Sequence, residues 1–298
     1  MVRASPAAAR AISPAGVAFL ALAGGGALIA LSPILVRLSE VGPTVTAFWR
    51  AALALPLLAL LVALRGAPAP GPGDRWRLAF AGIFFAGDLV FWHWSIQFTS
   101  VANATLFANF NPFFVAIGAL VLFGEPITRW FVAGMALAFA GAACLLGDSL
   151  SLGGDAALGD GLGVATAVCW AGYFLFVRSL RARLGTPAVM LWSTLATAVA
   201  VLPMAALSGE PFLPRTAAGW SVLLGLAILS HALGQGLIAH ALAHLPAGFS
   251  ALSLLSEPVL AALFAWLWLG ERLGPLQWIG GAIVLAGIAV AARSTRGR

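Results

Sequence analysis

The amino-acid sequence predicts an all-α integral membrane protein: ten transmembrane helices, built as two inverted five-helix repeats, with both termini in the cytoplasm. Three observations predict this fold class: a composition unsuited to a water-facing surface, ten apolar stretches of bilayer-spanning length, and an internal repeat. Only 9% of the 298 residues are charged, and the mean hydropathy is +1.00. A soluble domain carries about 25% charged residues, so lipid must cover most of this surface.

A helix needs about 20 predominantly apolar residues to cross a bilayer, and ten stretches meet this requirement. Clusters of Gly and Pro separate them, as at Gly42-Pro43 and in the segment 66–73. The first stretch is longer than the apolar core of a signal peptide, so it is kept as a membrane helix. The predicted spans are residues 15–37, 44–65, 76–97, 101–123, 129–147, 160–180, 187–207, 218–239, 247–269 and 275–292.

The loop arginines predict the orientation. With the N-terminus inside, twelve of the sixteen arginines fall in cytoplasmic loops and tails and three fall outside, while Arg50 lies within a helix. This is the positive-inside distribution of a multi-pass protein of the bacterial inner membrane. The arginines lie in short loops, so the net charge of +6 reflects the orientation of the chain in the membrane and does not indicate a nucleic-acid partner.

The fourth and fifth predicted helices resemble the ninth and tenth. Four features recur at one offset of 146 residues: Asn111-Pro112 with Glu257-Pro258, Gly124-Glu125 with Gly270-Glu271, Gly134 with Gly280, and Gly141 with Gly287. An ungapped offset across four features indicates duplication, with repeats at 15–147 and 160–292 and a periplasmic linker at 148–159. Since five is odd, the second repeat enters the membrane from the opposite side, as in many secondary transporters.

Several motifs resemble those of a known family. Two Pro-containing helix segments each lead to Gly-Glu, and each is followed by a helix with spaced glycines. Trp49-Arg50 in the second helix is a further shared motif. Over nearly its whole length the sequence is similar to the EamA-type ten-helix transporters of the drug/metabolite transporter superfamily, in which the aromatic amino-acid exporters called YddG are one candidate branch. The resemblance implies a secondary transporter that exports amino acids or related metabolites by alternating access. One departure is Pro126, where the family pattern has a basic residue. The first-half loop is therefore expected to lack an ion pair that Glu271-Arg272 retains.

Polar groups at membrane depth mark the candidate substrate site, because they are costly there and tend to be functional. Glu257 and its repeat mate Asn111 each lie near a helix centre and precede a proline, Pro258 and Pro112. Neither proline can donate to the preceding turn, so each helix is expected to kink and to leave a free carbonyl beside a polar side chain. The alternative for Glu257 is a protonated side chain bonded to a neighbouring helix.

Aromatic and polar side chains on other helix faces complete the predicted substrate site. An aromatic wall with sparse amides and hydroxyls suits an amphiphilic solute with an apolar or aromatic side chain, although ordinary packing explains the rings as well. Arg50 could bind a substrate carboxylate or, as its position favours, snorkel to the outer headgroups or pair with a neighbouring helix. The remaining candidates are Ser253, Phe107, Trp92, Trp170, Phe174, Asp88 and His93.

Other functions stay open at this point. The same fold could export drugs or other metabolites, a membrane-embedded enzyme would need a catalytic cluster that the scattered ionisable groups do not suggest, and a scaffold or receptor has less use for an inverted repeat. No Walker or GxGxxG context occurs, so no cofactor is expected. His240 and His244 have metal-ligand spacing but no third ligand nearby, so no metal is expected. Gly24–Gly26 and the repeated glycines predict close helix packing and offer a face for a homodimer.

Overall fold

The computed structural model describes residues 13–99, 101–146, 157–270 and 273–295, and in these ranges every regular element is a helix. Most of the predicted linker, 148–159, lies outside the described residues, as do Glu271 and Arg272. The elements in chain order are α1 (Pro14–Ile29), α2 (Ser32–Arg37), α3 (Pro43–Ala52), α4 (Leu55–Leu64), α5 (Pro72–Phe98), α6 (Val101–Ala108), α7 (Asn111–Phe123), α8 (Arg129–Leu146), α9 (Ala157–Arg181), α10 (Thr186–Leu207), α11 (Ala217–Gly225), a π-helix (Leu226–Gln235), α12 (Gly236–Ala241), α13 (Ala247–Ser253), α14 (Ser256–Leu269), α15 (Pro275–Ala291) and a 3₁₀ turn (Ala292–Thr295).

Apolar helices long enough to cross a membrane dominate the described residues. By length and composition, eight stretches qualify: Pro14–Arg37, Pro43–Leu64, Asn103–Phe123, Ala157–Arg181, Thr186–Leu207, Ala217–Ala241, Ala247–Trp268 and Pro275–Thr295. Large apolar side chains are exposed along them, with Leu207 87% and Val121 74% exposed, as lipid-facing residues must be. The protein is therefore an all-helical, multi-pass membrane protein. The further helices α5 and α8 lie between these stretches, and a total of ten spans stays a prediction.

The two spans that carry the paired prolines are broken near their centres, as is the span Pro43–Leu64 at residues 53–54. A turn at residues 109–110 separates α6 from α7, and a turn at residues 254–255 separates α13 from α14. Each second half carries its proline in the first turn, where the missing N–H is not needed. Each second half also ends at a glycine with left-handed backbone, Gly124 at φ +65° and Gly270 at φ +69°, a common helix C-terminus.

The carbonyls next to these breaks are not free, contrary to the prediction from the sequence. Asn111 donates from its side-chain Nδ2 to the carbonyl of Ala108 at 3.2 Å. The backbone N–H of Glu257 donates to the carbonyl of Leu254 at 2.8 Å. At each break a donor from a nearby residue satisfies the carbonyl, because an unsatisfied backbone group is costly where no water can reach it. The carbonyls are therefore satisfied, while the Oδ1 of Asn111 remains without a partner among the described residues.

Helices α8 and α15 cross through reciprocal glycine contacts. A Cβ atom built on Gly134 would lie 2.5 Å from the carbonyl oxygen of Gly287, and one built on Gly280 would lie 2.7 Å from that of Gly141. Gly25 of α1 packs equally closely against the π-helix, because a Cβ built on it would lie 2.8 Å from the carbonyl oxygen of Gly234. The glycines give the close packing that the sequence predicts, but they are used inside one chain, so the reason for a homodimer face at these positions disappears.

Gly280→Ala is expected to destabilise the bundle, because the new Cβ would lie 2.5 Å from the backbone nitrogen of Leu145 and must push α8 away. Overpacking of this kind costs about 1–3 kcal/mol, which lowers the midpoint of thermal unfolding in detergent. Gly161→Ala is the matched control, because a Cβ there meets nothing within 4 Å. Equal midpoints for the two variants would contradict a tight crossing of α8 and α15.

On one face of the bundle, two carboxylates cap helices that lie far away in the chain. Glu210 accepts from the first backbone N–H groups of α3 at 2.8 and 3.3 Å, and Glu40 accepts from the backbone N–H of Thr216, just before α11, at 3.1 Å. The helix dipole favours a negative charge at both places. The hydrogen bond from the Thr216 hydroxyl is the main reason that the pKa of Glu40 lies below its ordinary value. The loops that meet here, 38–42 and 208–216, are both predicted to lie outside the cytoplasm.

On the opposite face, Glu125 ties three helices together. Its carboxylate accepts from the backbone N–H of Ala247, at the start of α13, at 2.8 Å, and it pairs with Arg178 of α9 at 3.5 Å. The loop arginines predict that all three positions lie on the cytoplasmic side. The expectation that Pro126 deprives this loop of an ion pair is wrong, because Glu125 takes its partner from another helix and not from the next residue.

Candidate substrate site

Arg50, on α3, is buried inside the bundle with only 8% of its surface exposed. Its guanidinium carbon lies 5.7 Å from the centre of the Phe85 ring on α5, a cation–π contact. Its Nε has no hydrogen-bond partner among the described residues. Snorkelling to the headgroups does not fit a side chain this deeply buried. A charge at membrane depth that faces the bundle interior marks a functional site, and Arg50 is the centre of the candidate site.

Carboxyl groups on two different helices interact electrostatically with the Arg50 side chain. Asp88 on α5 and Glu257 on α14 both interact electrostatically with Arg50. Among the described residues, no direct ion pair joins Arg50 to either carboxylate. The three ionisable groups are therefore neighbours, but Arg50 is not directly ion-paired with either carboxyl group. Such an arrangement can hold a small dipolar molecule, with its negative end on the guanidinium and its positive end on a carboxylate.

His231 extends the charged cluster into the π-helix. Its Nε2 lies 2.8 Å from the Thr194 hydroxyl of α10, and its ring centre lies 5.6 Å from that of Phe85. It also interacts electrostatically with Arg50. The Nδ1 of His231 has no hydrogen-bond partner in the part of the chain that the structure describes. The histidine thus brings a second unused polar atom to the same region of the bundle interior.

Trp170 and Phe174 of α9 are connected to this cluster by ring contacts. The Phe85 ring lies 4.8 Å from Tyr173 and 5.9 Å from Trp170, and Trp170 lies 6.2 Å from Phe174. Phe85, Tyr173 and Phe174 are almost fully buried, and Trp170 is half-buried. Because these rings pack on one another, they form an apolar wall that lowers the local dielectric around Arg50 and strengthens its interactions.

The remaining predicted site residues are placed as follows. Phe107 contacts the ring three residues later at 5.9 Å, and Ser253 donates to a carbonyl of its own helix at 2.9 Å. The Oδ1 of Asn111 is buried and without a partner among the described residues. Trp92 is half-buried on α5, and the side chain of His93 lies outside the described residues. That these five side chains contact substrate stays a prediction.

Asp88 and Glu257 were predicted site residues, but no motif in the sequence connects them to Arg50, and Thr194 was not among the candidates. A usable signal existed: an isolated arginine in one apolar span and isolated carboxylates in two others. Ionisable groups inside a membrane usually face one another or a cavity. The three positions are far apart in the chain, so their partnership appears only when the helices are packed.

Lipid-exposed helices, several of them broken near the midpoint, with an arginine and two carboxyl groups between them, have the architecture of a membrane transporter. The chain belongs to the EamA-like transporter family, whose model matches residues 15–147 and again residues 157–293. The family expected from the sequence is thus confirmed, and the protein is a transporter and not an enzyme. The narrower YddG-like branch stays a prediction.

Several curated relatives cover most of the chain. The probable terminal-alkyne amino-acid exporter of Streptantibioticus cattleyicolor is 30% identical over 274 residues, 90% of each chain. The threonine/homoserine exporter RhtA of Escherichia coli (strain K12) is 32% identical over 72% of this chain and 70% of its own. The pseudopaline exporter CntI of Pseudomonas aeruginosa is 25% identical over 84% and 86%. A crystal structure at 20% identity has a TM-score of 0.81 and covers 95% of this chain and 98% of its own, which shows a shared fold.

Proposed function

We propose that this protein is a secondary transporter that exports amino acids or closely related zwitterionic metabolites across the bacterial inner membrane. The observation that carries the proposal is the cluster in which the buried Arg50 interacts electrostatically with Asp88 and Glu257 without a direct ion pair. The names of the relatives support it, because each is described as an exporter and two of them are named for amino acids. No nucleotide-binding pattern accompanies the fold, so the proposal is transport without ATP.

The chemistry of the cluster matches the constant part of an amino acid. A guanidinium presents a planar fork of N–H donors that suits a carboxylate, so Arg50 holds the substrate carboxylate. Glu257 and Asp88 then accept from the substrate ammonium. Hydrogen bonds between charged groups are short and strong, and the Phe85 and Trp170 rings keep water away from them. The head group is thereby recognised whatever the side chain is.

Alternating access is supported by the pairing of the two halves. Gly134 packs against Gly287 while Gly141 packs against Gly280. Because Gly280 and Gly287 are the repeat mates of Gly134 and Gly141, the contacts are reciprocal, as a two-fold axis requires. The family model also matches each half separately. Two inverted halves around a midplane site can rock against each other to open either side in turn. We therefore retain ten spans, a cytoplasmic location for both termini, and repeats at 15–147 and 160–292 as parts of the proposal.

Counterflow in proteoliposomes tests this function. Purified protein in liposomes loaded with one unlabelled amino acid should take up its labelled form, from a panel that includes threonine, valine and phenylalanine. The decarboxylated amine and the deaminated acid of each active amino acid are expected to give at least about tenfold weaker counterflow, since each lacks one charged contact of roughly 1.5–3 kcal/mol.

Protein-free liposomes are the control for this experiment. A strong response to phenylalanine alone would support the aromatic preference that the sequence suggests. Counterflow of lipophilic cations without any amino-acid response would replace amino-acid export with drug export, which the same fold could also perform.

A further inference from the structure

The span Ala217–Ala241 contains a π-helix, of which only His231 belongs to the charged cluster. Residues Leu226–Gln235 form ten residues of π-helix, whereas π-helices occur mostly as single turns inside α-helices and often at functional sites. Ser230, His231 and Gln235 are its polar side chains, and each is at most 1% exposed. A long π-helix with three buried polar side chains in a membrane span calls for a reason beyond packing.

The three polar side chains differ in how their hydrogen bonds are satisfied. The Ser230 hydroxyl pairs with the Ser32 hydroxyl at 2.5 Å. His231 uses only Nε2, towards Thr194, and both side-chain amide atoms of Gln235 are without partners among the described residues. A buried polar group left unsatisfied costs about 1–3 kcal/mol, so Gln235 and the Nδ1 of His231 are poised to bind a polar group that is not part of the protein.

One of these unused atoms, the Nδ1 of His231, belongs to a ring that lies next to the proposed head-group site. The His231 ring contacts the Phe85 ring, and the Arg50 guanidinium lies over the same Phe85 ring. Gln235 follows four residues later, and the i to i+5 ladder of a π-helix keeps residues at this spacing on about the same side. The chain continues through α12 to a loop that is predicted to lie in the cytoplasm, so Gln235 is expected on the cytoplasmic side of His231, from which an exporter loads.

We propose that Gln235 and the Nδ1 of His231 form a side-chain subsite that selects amino acids with a neutral, hydrogen-bonding side chain, a hydroxyl or an amide. This inference rests on the proposed function, in which Arg50, Asp88 and Glu257 hold the amino-acid head group. A hydroxyl can donate to the Gln235 oxygen and accept from its nitrogen, whereas an apolar side chain leaves both unsatisfied. Sites built to hydrogen-bond a substrate group reject analogues that lack it strongly.

Threonine and valine test the subsite, because they have nearly the same shape and differ in one hydroxyl. In counterflow with the unaltered protein, threonine is expected to be favoured over valine by about tenfold or more, the effect of one or two lost hydrogen bonds. Gln235→Met should bring the ratio close to one, mainly by loss of threonine transport. Ser230→Ala is the matched control on the same π-helix, and it should keep the ratio of the parent because Ser230 already has a partner.

The possible outcomes are distinguishable. Equal transport of threonine and valine by the unaltered protein overturns the subsite, and this comparison depends on no variant folding. Retention of the parental ratio by Gln235→Met, or collapse of the ratio in Ser230→Ala, also overturns it. Absence of counterflow for every amino acid tested is a different result, because it removes the proposed function on which the subsite rests.

Discussion

Glu257→Gln is expected to slow amino-acid counterflow by about 100-fold or more, because truncating one member of a buried charged contact costs roughly 2–5 kcal/mol. The glutamine keeps the size of the side chain and can still accept a hydrogen bond, but it cannot balance the substrate ammonium or the charge of Arg50. It also cannot exchange a proton, so any pH dependence that the parent owes to Glu257 should become flat. Counterflow between pH 5.5 and about 8.5 measures both effects.

Glu210→Gln is the matched control for this substitution. Glu210 caps the N-terminus of α3, whereas Arg50 lies near the C-terminus of the same helix. Glu210 is also only partly buried, so Glu210→Gln should transport like the parent. Both proteins must first give the same yield and the same elution profile in detergent. Parental transport with parental pH dependence in Glu257→Gln would make Glu257 a packing residue.

Asn111→Ala, at the equivalent position of the first half, is expected to reduce transport more mildly because no charge is lost.

The sequence was sufficient for features that depend on local chemistry. The breaks at Pro112 and Pro258 follow from the missing N–H of proline. The family follows from the arrangement of these motifs. All of these depend on residues close together in the chain or on one constant offset, so packing does not need to be known.

The candidate site was only partly predictable, because its contacts join distant residues. The proline breaks suggested free carbonyls, but Asn111 and the backbone of Glu257 turn back to close them. Pro126 suggested an unpaired loop, but Arg178 reaches Glu125 from another helix. Arg50 looked equally suited to a headgroup contact or to a partner helix. The carbonyls at the breaks are satisfied by donors only three residues away. For Pro126 and Arg50 the outcome depends on which helix lies alongside, and one-dimensional spacing does not contain that information.

Arg50→Gln is expected to have an effect as large as that of Glu257→Gln, but with a different dependence on substrate. Removing the guanidinium should lower amino-acid counterflow by about 100-fold, since the substrate carboxylate would then be buried without a cation. Arg50→Lys keeps the charge but replaces the planar fork with a compact ammonium, so an intermediate loss is expected. Arg215→Gln, in the loop 208–216 outside the cluster, is the control and should leave transport unchanged.

A substrate without its carboxylate separates the binding role of Arg50 from a structural one. The parent should prefer an amino acid over the corresponding amine, because only the amino acid can use the guanidinium. In Arg50→Gln this preference should disappear, while in a merely misfolded variant both compounds should lose transport in proportion. If Arg50→Gln transports more slowly but keeps the parental preference, then Arg50 does not hold the carboxylate. Its burial against Phe85 would then serve to neutralise Asp88 and Glu257, and the substrate carboxylate would have to be recognised elsewhere in the bundle.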